Sequence, residues 1–131
     1  FYPRPDTEWF SQTASQLQQA ELEGWEIGFQ YDCLSRANGS FTVANQLFIG
    51  QLSYMRNLFN ISTTTYHGDS YNINILNLNF YNQTLWESLS LNEVYKITEP
   101  HDYWTDTNNK LIQPSLTTKL LIVQFHTDWT I

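Results

Sequence analysis

A single cysteine, Cys33, stands in the 131 residues, so no disulfide can close within the chain and no cysteine cluster can hold a metal. Small secreted domains usually carry several cysteines, and their scarcity points to a reducing compartment, with a cytoplasmic location expected. Basic residues are also few: Arg4, Arg36, Arg56, Lys96, Lys110 and Lys119 stand against thirteen acidic residues, for a net charge of −7. Cations this scattered cannot neutralise a run of phosphates, which argues against nucleic acid and against an anionic membrane surface. No apolar run reaches the roughly 18 residues that a membrane-crossing helix needs, and no secretory leader pattern is read. The start at Phe1 rather than Met fits a processed or trimmed N-terminus. No Gly-rich phosphate loop or Ser-His-Asp signature occurs, and no cofactor is expected.

What the chain does have is aromatic residues, 16% of the total, with five Trp, eight Tyr and eight Phe. Aromatics suit pleated, half-buried surfaces, so this composition leans towards β structure. The length suits one domain, expected over residues 1–131, which can bury roughly two-thirds of its unfolded surface without a metal or a crosslink. The acidic balance is compatible with a basic protein partner, although solubility alone explains it.

Hydrophobic periodicity sets the expected elements. Phe10, Ala14, Leu17 and Ala20 recur at helical spacing from about Thr7 to Leu22, with Asp6 or Thr7 as N-cap and Gly24 as the stop. Trp25, Ile27, Phe29, Tyr31 and Cys33 then alternate with Glu26, Gly28, Gln30 and Asp32, the pattern of a strand with one buried face. Asn38-Gly39 predicts a hairpin turn, with Phe41 and Val43 opening the returning strand. Phe48, Leu52, Met55 and Phe59 fit a helical stripe within the ambiguous stretch 46–60, and a strand is expected from about Leu58 to Tyr66. Residues 67–69 read as a turn, and Tyr71 through Phe80 as a long strand. Ser90-Leu91-Asn92-Glu93 has capping-box spacing and predicts a short helix before Pro100. Residues 101–119 read as loop anchored by Trp104, and 120–125 as a last strand. The resulting fold class is α+β: an N-terminal helix packed on a mainly antiparallel sheet.

Several residues could carry chemistry. His126-Thr127-Asp128 follows the last strand and could supply a base with its orienting carboxylate, although a solvated strand exit is the plainer reading. His101-Asp102-Tyr103, just after Pro100, reads as a turn closure. Cys33 shares the apolar face of its strand, and the adjacent Asp32 would raise its pKa, so it reads as a small core residue. His67, His101 and His126 share no ligand spacing, and no metal site is expected. Three glycosylation-type triplets occur, Asn38-Gly39-Ser40, Asn60-Ile61-Ser62 and Asn82-Gln83-Thr84.

Three segments also resemble the autophagy ubiquitin-like-conjugating enzymes. They are Glu8-Trp9-Phe10-Ser11-Gln12 with the strand opened by Trp25, Tyr71 to Phe80 with Leu89 to Tyr95, and the apolar strand ending in Phe125-His126. The resemblance implies a ubiquitin-conjugating-like fold. It also implies a transferase that passes a modifier from a cysteine thioester to a target lysine. Its partners would be a ubiquitin-like modifier, that modifier's activating enzyme and a target protein. His126 would lie beside the transfer site, but Thr127 and Asp128 stand where the family has Pro and Cys. The chain would then be an inactive relative that keeps its partner surfaces, or one lacking the active-site loop and C-terminal helices. The alternatives are a non-catalytic protein-interaction module and a secreted or viral surface glycoprotein.

Overall fold

The structure, a computed structural model, describes residues 1–68 and 74–96, together with the backbone of residues 101–105 and 120–124. Two compact units are formed, Phe1–Lys96 and Ile97–Ile131.

In the first unit, α1 spans Glu8–Leu22. Thr7 caps it, its hydroxyl accepting from the Phe10 N–H at 3.2 Å. Gly24, with φ +98°, supplies the left-handed residue of a Schellman stop, in which Trp25 N–H donates to Ala20 and Gly24 N–H to Glu21. Both ends therefore lie where the sequence placed them. Phe10 and Leu17 are the buried residues of this helix, and the Phe10 ring meets Phe59 edge-on at 6.2 Å.

Strand β1 is short, Phe29–Tyr31, and leads through α2 (Cys33–Arg36) into the long helix α3, Phe41–Leu58. The expected hairpin at Asn38-Gly39 is instead a turn between two helices. Both residues do take positive φ, +49° and +85°, but Ser40 then caps α3 by accepting from the Val43 N–H at 3.3 Å. Phe41 and Val43 consequently stand exposed in the first turn of a helix rather than buried in a returning strand. The Phe48, Leu52 and Met55 stripe, joined by Ala44, is the buried face of α3.

This helix decides the sheet. Strand β2 (Thr63–Tyr66) pairs parallel with β1, and β3 (Asn92–Glu93) pairs parallel with β2, giving the order β1-β2-β3. The mainly antiparallel sheet expected from the sequence is thus overturned. A hairpin reverses the chain, whereas a helical crossover carries it back to start the next strand in the same direction. A further parallel partner lies outside β1. Phe1 N–H donates to Glu26 C=O at 2.7 Å, Gly28 N–H to Phe1 C=O at 2.7 Å and Gln30 N–H to Pro3 C=O at 3.1 Å. Pro3 has no N–H to give in return, as suits an edge segment. Strand β1 is therefore bonded on both sides. Its Gly28 is needed because a Cβ there would strike the Tyr2 ring and approach Thr63 Oγ1 to 2.8 Å.

Asn77–Phe80 form a 3₁₀ turn where the end of a long strand was expected; residues 71–73 of that expectation lie outside the described residues. The short helix expected after Ser90–Glu93 is a single 3₁₀ turn, Val94–Lys96, and a further short helix precedes it. Helix α4 is Gln83–Ser88, capped by Asn82, and Asn92-Glu93 are strand. Glu93 does not turn back to cap a helix; its carboxylate accepts from the buried Thr64 hydroxyl at 3.0 Å.

The core is largely aromatic. Phe48 and Trp86 stack at 4.8 Å, and Tyr31 meets Phe48, Phe80 and Trp86 edge-on at 5.5, 6.2 and 5.4 Å. Contacts of this kind contribute about 0.5–1.5 kcal/mol each beyond the area they bury.

In the second unit, β4 (His101–Thr105) pairs parallel with β5 (Leu120–Gln124), from His101 opposite Leu120 to Thr105 opposite Gln124. His101, Asp102 and Trp104 therefore stand in a strand and not in the loop expected for 101–119. The last strand falls where the apolar run predicted it.

Candidate functional site

Parallel strands gather at one sheet edge the residues that follow each of them. Asp32 follows β1 and His67 follows β2, directly beyond the paired residues Tyr31 and Tyr66. The buried Asp32 carboxylate accepts from two cations through Oδ2, Arg4 Nη2 at 3.0 Å and Arg36 Nε at 2.7 Å. Arg36 also pairs with Asp6, whose Oδ2 lies 3.5 Å from Arg4 Nη2. Arg4 Nη1 is 3.2 Å from His67 Nε2. Because a guanidinium can only donate, Nε2 must accept, which places the imidazole proton on Nδ1. Buried Asn77 closes the floor: its Oδ1 accepts from Ser35 N–H at 2.9 Å and its Nδ2 donates to His67 C=O at 3.2 Å.

The cluster as such was not read from the sequence, where Asp6 stood only as an N-cap candidate, Asp32 only as the neighbour of Cys33 and His67 only as one of three histidines. Arg4 and His67 are 63 positions apart and only the fold joins them. One signal existed, the Asp32–Arg36 spacing of i,i+4, which reads as an ion pair once that stretch is assigned to a helix.

Cys33, directly after Asp32, is fully buried. Burial, with the Asp32 carboxylate as a second cause, pushes its thiol up to about 12. A thiol held protonated in this way is a core residue and not a nucleophile. On the core side of the sheet, burial and the neighbouring Glu93 carboxylate likewise push the Tyr31 phenol up. His126, with Thr127 and Asp128, lies outside the described residues, as do the side chains of His101 and Asp102. Among the described residues no group of three His, Cys, Asp or Glu side chains is placed to hold a metal. No helix among them is long and apolar enough to cross a membrane.

A second feature lies between the start of α3 and α4. An open groove with a volume of about 580 Å³ is lined by the apolar faces of Phe41, Tyr81 and Leu85 and by the amides of Asn45, Asn79 and Asn82. The caps of α3 and α4 build it, since Ser40 fixes the first turn that carries Phe41 and Asn82 fixes the one that carries Leu85. Asn82 Oδ1 is taken by the Leu85 N–H at 2.9 Å, so its NH₂ is the part left to donate. None of the lining residues carries a formal charge; Lys96 stands at the border, its Nζ 5.6 Å from the Tyr81 ring centre. An arrangement of this kind can hold a neutral, hydrogen-bonding ligand against apolar surface. It offers no acid, base or thiol for bond-making.

Comparison of the chain with protein-family models, with curated proteins and with solved structures finds no match.

Proposed function

We propose that the protein is a non-catalytic protein-interaction module whose α3–α4 groove holds an extended, uncharged segment of a partner. The carrying observation is the groove's lining. Asn45 and Asn79 can both donate to and accept from a peptide backbone and Asn82 can donate through its NH₂, while Phe41, Tyr81 and Leu85 offer apolar faces to its side chains. Modifier transfer, implied by the family resemblance, has less support. The one cysteine is buried with its thiol pushed up to about 12, and the sheet is parallel where the sequence pattern led to an antiparallel one.

The test is selection of a random-peptide display library against the chain. Binding of the selected peptides is then measured for wild type, Phe41→Ala and Asn45→Ala. Both side chains are exposed, so these variants keep the fold. Uncharged peptides whose affinity falls about tenfold or more in either variant support the module. Peptides indifferent to both variants, or no enrichment, overturn it. Incubation with an activating enzyme, its ubiquitin-like modifier and ATP supplies the opposite check, because a reducible adduct would restore the transferase reading.

One observation favours a second reading, that of a surface glycoprotein: Asn38, Asn60 and Asn82, the acceptors of the three triplets, are all exposed. A mass shift of natively expressed protein on glycosidase treatment supports it, and a single unmodified mass removes it. The two readings are separable, because a glycan on Asn82 would fill the groove.

A further inference from the structure

The geometry points to an oxyanion-binding site, independent of the groove, at the carboxyl ends of β1 and β2, where the Asp6 carboxylate occupies the ligand's place between Arg4 and Arg36. A buried carboxylate needs one cation to balance it, yet Asp32 receives two, Arg4 at 3.0 Å and Arg36 at 2.7 Å. A second carboxylate, Asp6, ion-pairs with Arg36 and stands 3.5 Å from Arg4. Asp6 reaches them from the turn between the edge segment and α1, so it is a tethered and replaceable anion and not part of the sheet.

The remainder of the cluster holds the two guanidiniums in place. Asp32 is 2% exposed at its side chain and anchors both from below, while His67 Nε2 accepts from Arg4 Nη1 and fixes the direction of that fork. The side chains of Arg36 and Arg4 are 30% and 17% exposed, so the outer side of the pair can be reached from solvent. Guanidinium forks match the paired oxygens of a carboxylate or phosphate group, and two forks set side by side offer more than one such contact. Two carboxylates, Asp6 and Asp32, face the two guanidiniums, and the chain's net charge of −7 gives no general attraction for anions. Binding must therefore come from local geometry. The ligand class is a small oxyanion, or the carboxylate or phosphate group of a larger molecule, that displaces Asp6. A tethered competitor acts at an effective concentration in the millimolar range, so the wild-type site is weak and strengthens when Asp6 loses its charge.

The test titrates inorganic phosphate, and separately acetate, into wild type, Asp6→Asn and Asp6→Asn/Arg36→Gln. Chloride at matched ionic strength serves as the control, and the arginine side-chain N–H resonances are followed. Asp6→Asn should bind at least one of the two anions saturably, about tenfold or more tighter than wild type, and the added Arg36→Gln should abolish the binding. The tighter anion identifies the ligand group as phosphate or carboxylate. Should Asp6→Asn fail to fold, wild type and Arg36→Gln are compared directly, with weak saturable binding expected in the first and none in the second. A response no different from chloride, or binding that survives the loss of Arg36, overturns the site.

Discussion

The Trp86 indole N–H donates to Thr64 Oγ1 at 2.7 Å, and the same hydroxyl donates onward to Glu93 at 3.0 Å. All three side chains are buried, so one small β-branched residue connects the aromatic core to a carboxylate inside the sheet. Thr64→Val keeps the shape and removes the hydroxyl, leaving the indole N–H without this acceptor and taking one donor from the Glu93 carboxylate. The expected loss is about 2–4 kcal/mol in urea unfolding, since each buried polar group left unmade costs about 1–3 kcal/mol. A loss below about 0.5 kcal/mol, the size of an ordinary surface change, would refute the relay.

Gly28 gives a second prediction. Gly28→Ala places a methyl group against the Tyr2 ring and should destabilise by about 1–3 kcal/mol, the usual cost of overpacking. Tyr2→Ala in the same chain should recover part of that loss, because the closest clash is with this ring and the 2.8 Å approach to Thr63 Oγ1 remains. A double-mutant cycle measures the coupling, and additive losses would show that the edge segment does not lie against β1.

Much of α1 was legible because helix ends are local. Thr7, Gly24 and the Phe10–Leu17 spacing each act within a turn or two. The direction of the sheet was not legible at that range. Asn38-Gly39 demands positive φ in a hairpin and equally in a turn between helices, so the dipeptide fixed the backbone without fixing what it joins. The deciding information lay further on, in Ser40 as a cap and in Ala44, Phe48, Leu52 and Met55 as one buried stripe. Ser90 to Glu93 were only partly legible: the short 3₁₀ turn Val94–Lys96 does follow, but Asn92-Glu93 are strand, and burial of Glu93 against Thr64 outweighs its local preference to cap. Of the ion-pair cluster only the Asp32–Arg36 spacing was local, because Arg4, Asp32 and His67 become neighbours only when β1 and β2 run the same way.

Cys33 supplies a pH prediction. Its folded-state pKa is raised from 9.0 to about 12, so the native state holds the proton more tightly than the unfolded chain. The contribution to stability is complete below pH 9 and is lost as pH rises through the window up to about 12. Tyr31 is raised in the same direction and adds to the alkaline loss. Cys33→Ala should flatten the fall in unfolding free energy between pH 9 and 12 without removing it. An unchanged slope would contradict the protonated, buried thiol. Native protein at pH 8 should also resist alkylation by iodoacetamide until it is unfolded.

Arg4→Ala is expected to cost about 1–3 kcal/mol, less than the loss of a sole partner, because Arg36 continues to hold Asp32. Arg4→Ala with Arg36→Ala leaves a buried carboxylate with neither cation, and the combined loss should exceed the sum of the two single losses. Simple additivity in thermal or urea unfolding would show that the two arginines do not share Asp32.

The helical crossover between β1 and β2 also governs the order of folding. Phe29 cannot find Thr64 until the whole of α3 has formed or collapsed between them, so the sheet closes over a long loop instead of zipping from a tight turn. The local helices α1 and α3 come first and the strands last. A nascent chain that has not yet extended past Tyr66 holds Phe29 and Tyr31 without the strand that completes their sheet, and over that interval their exposed edge invites wrong partners.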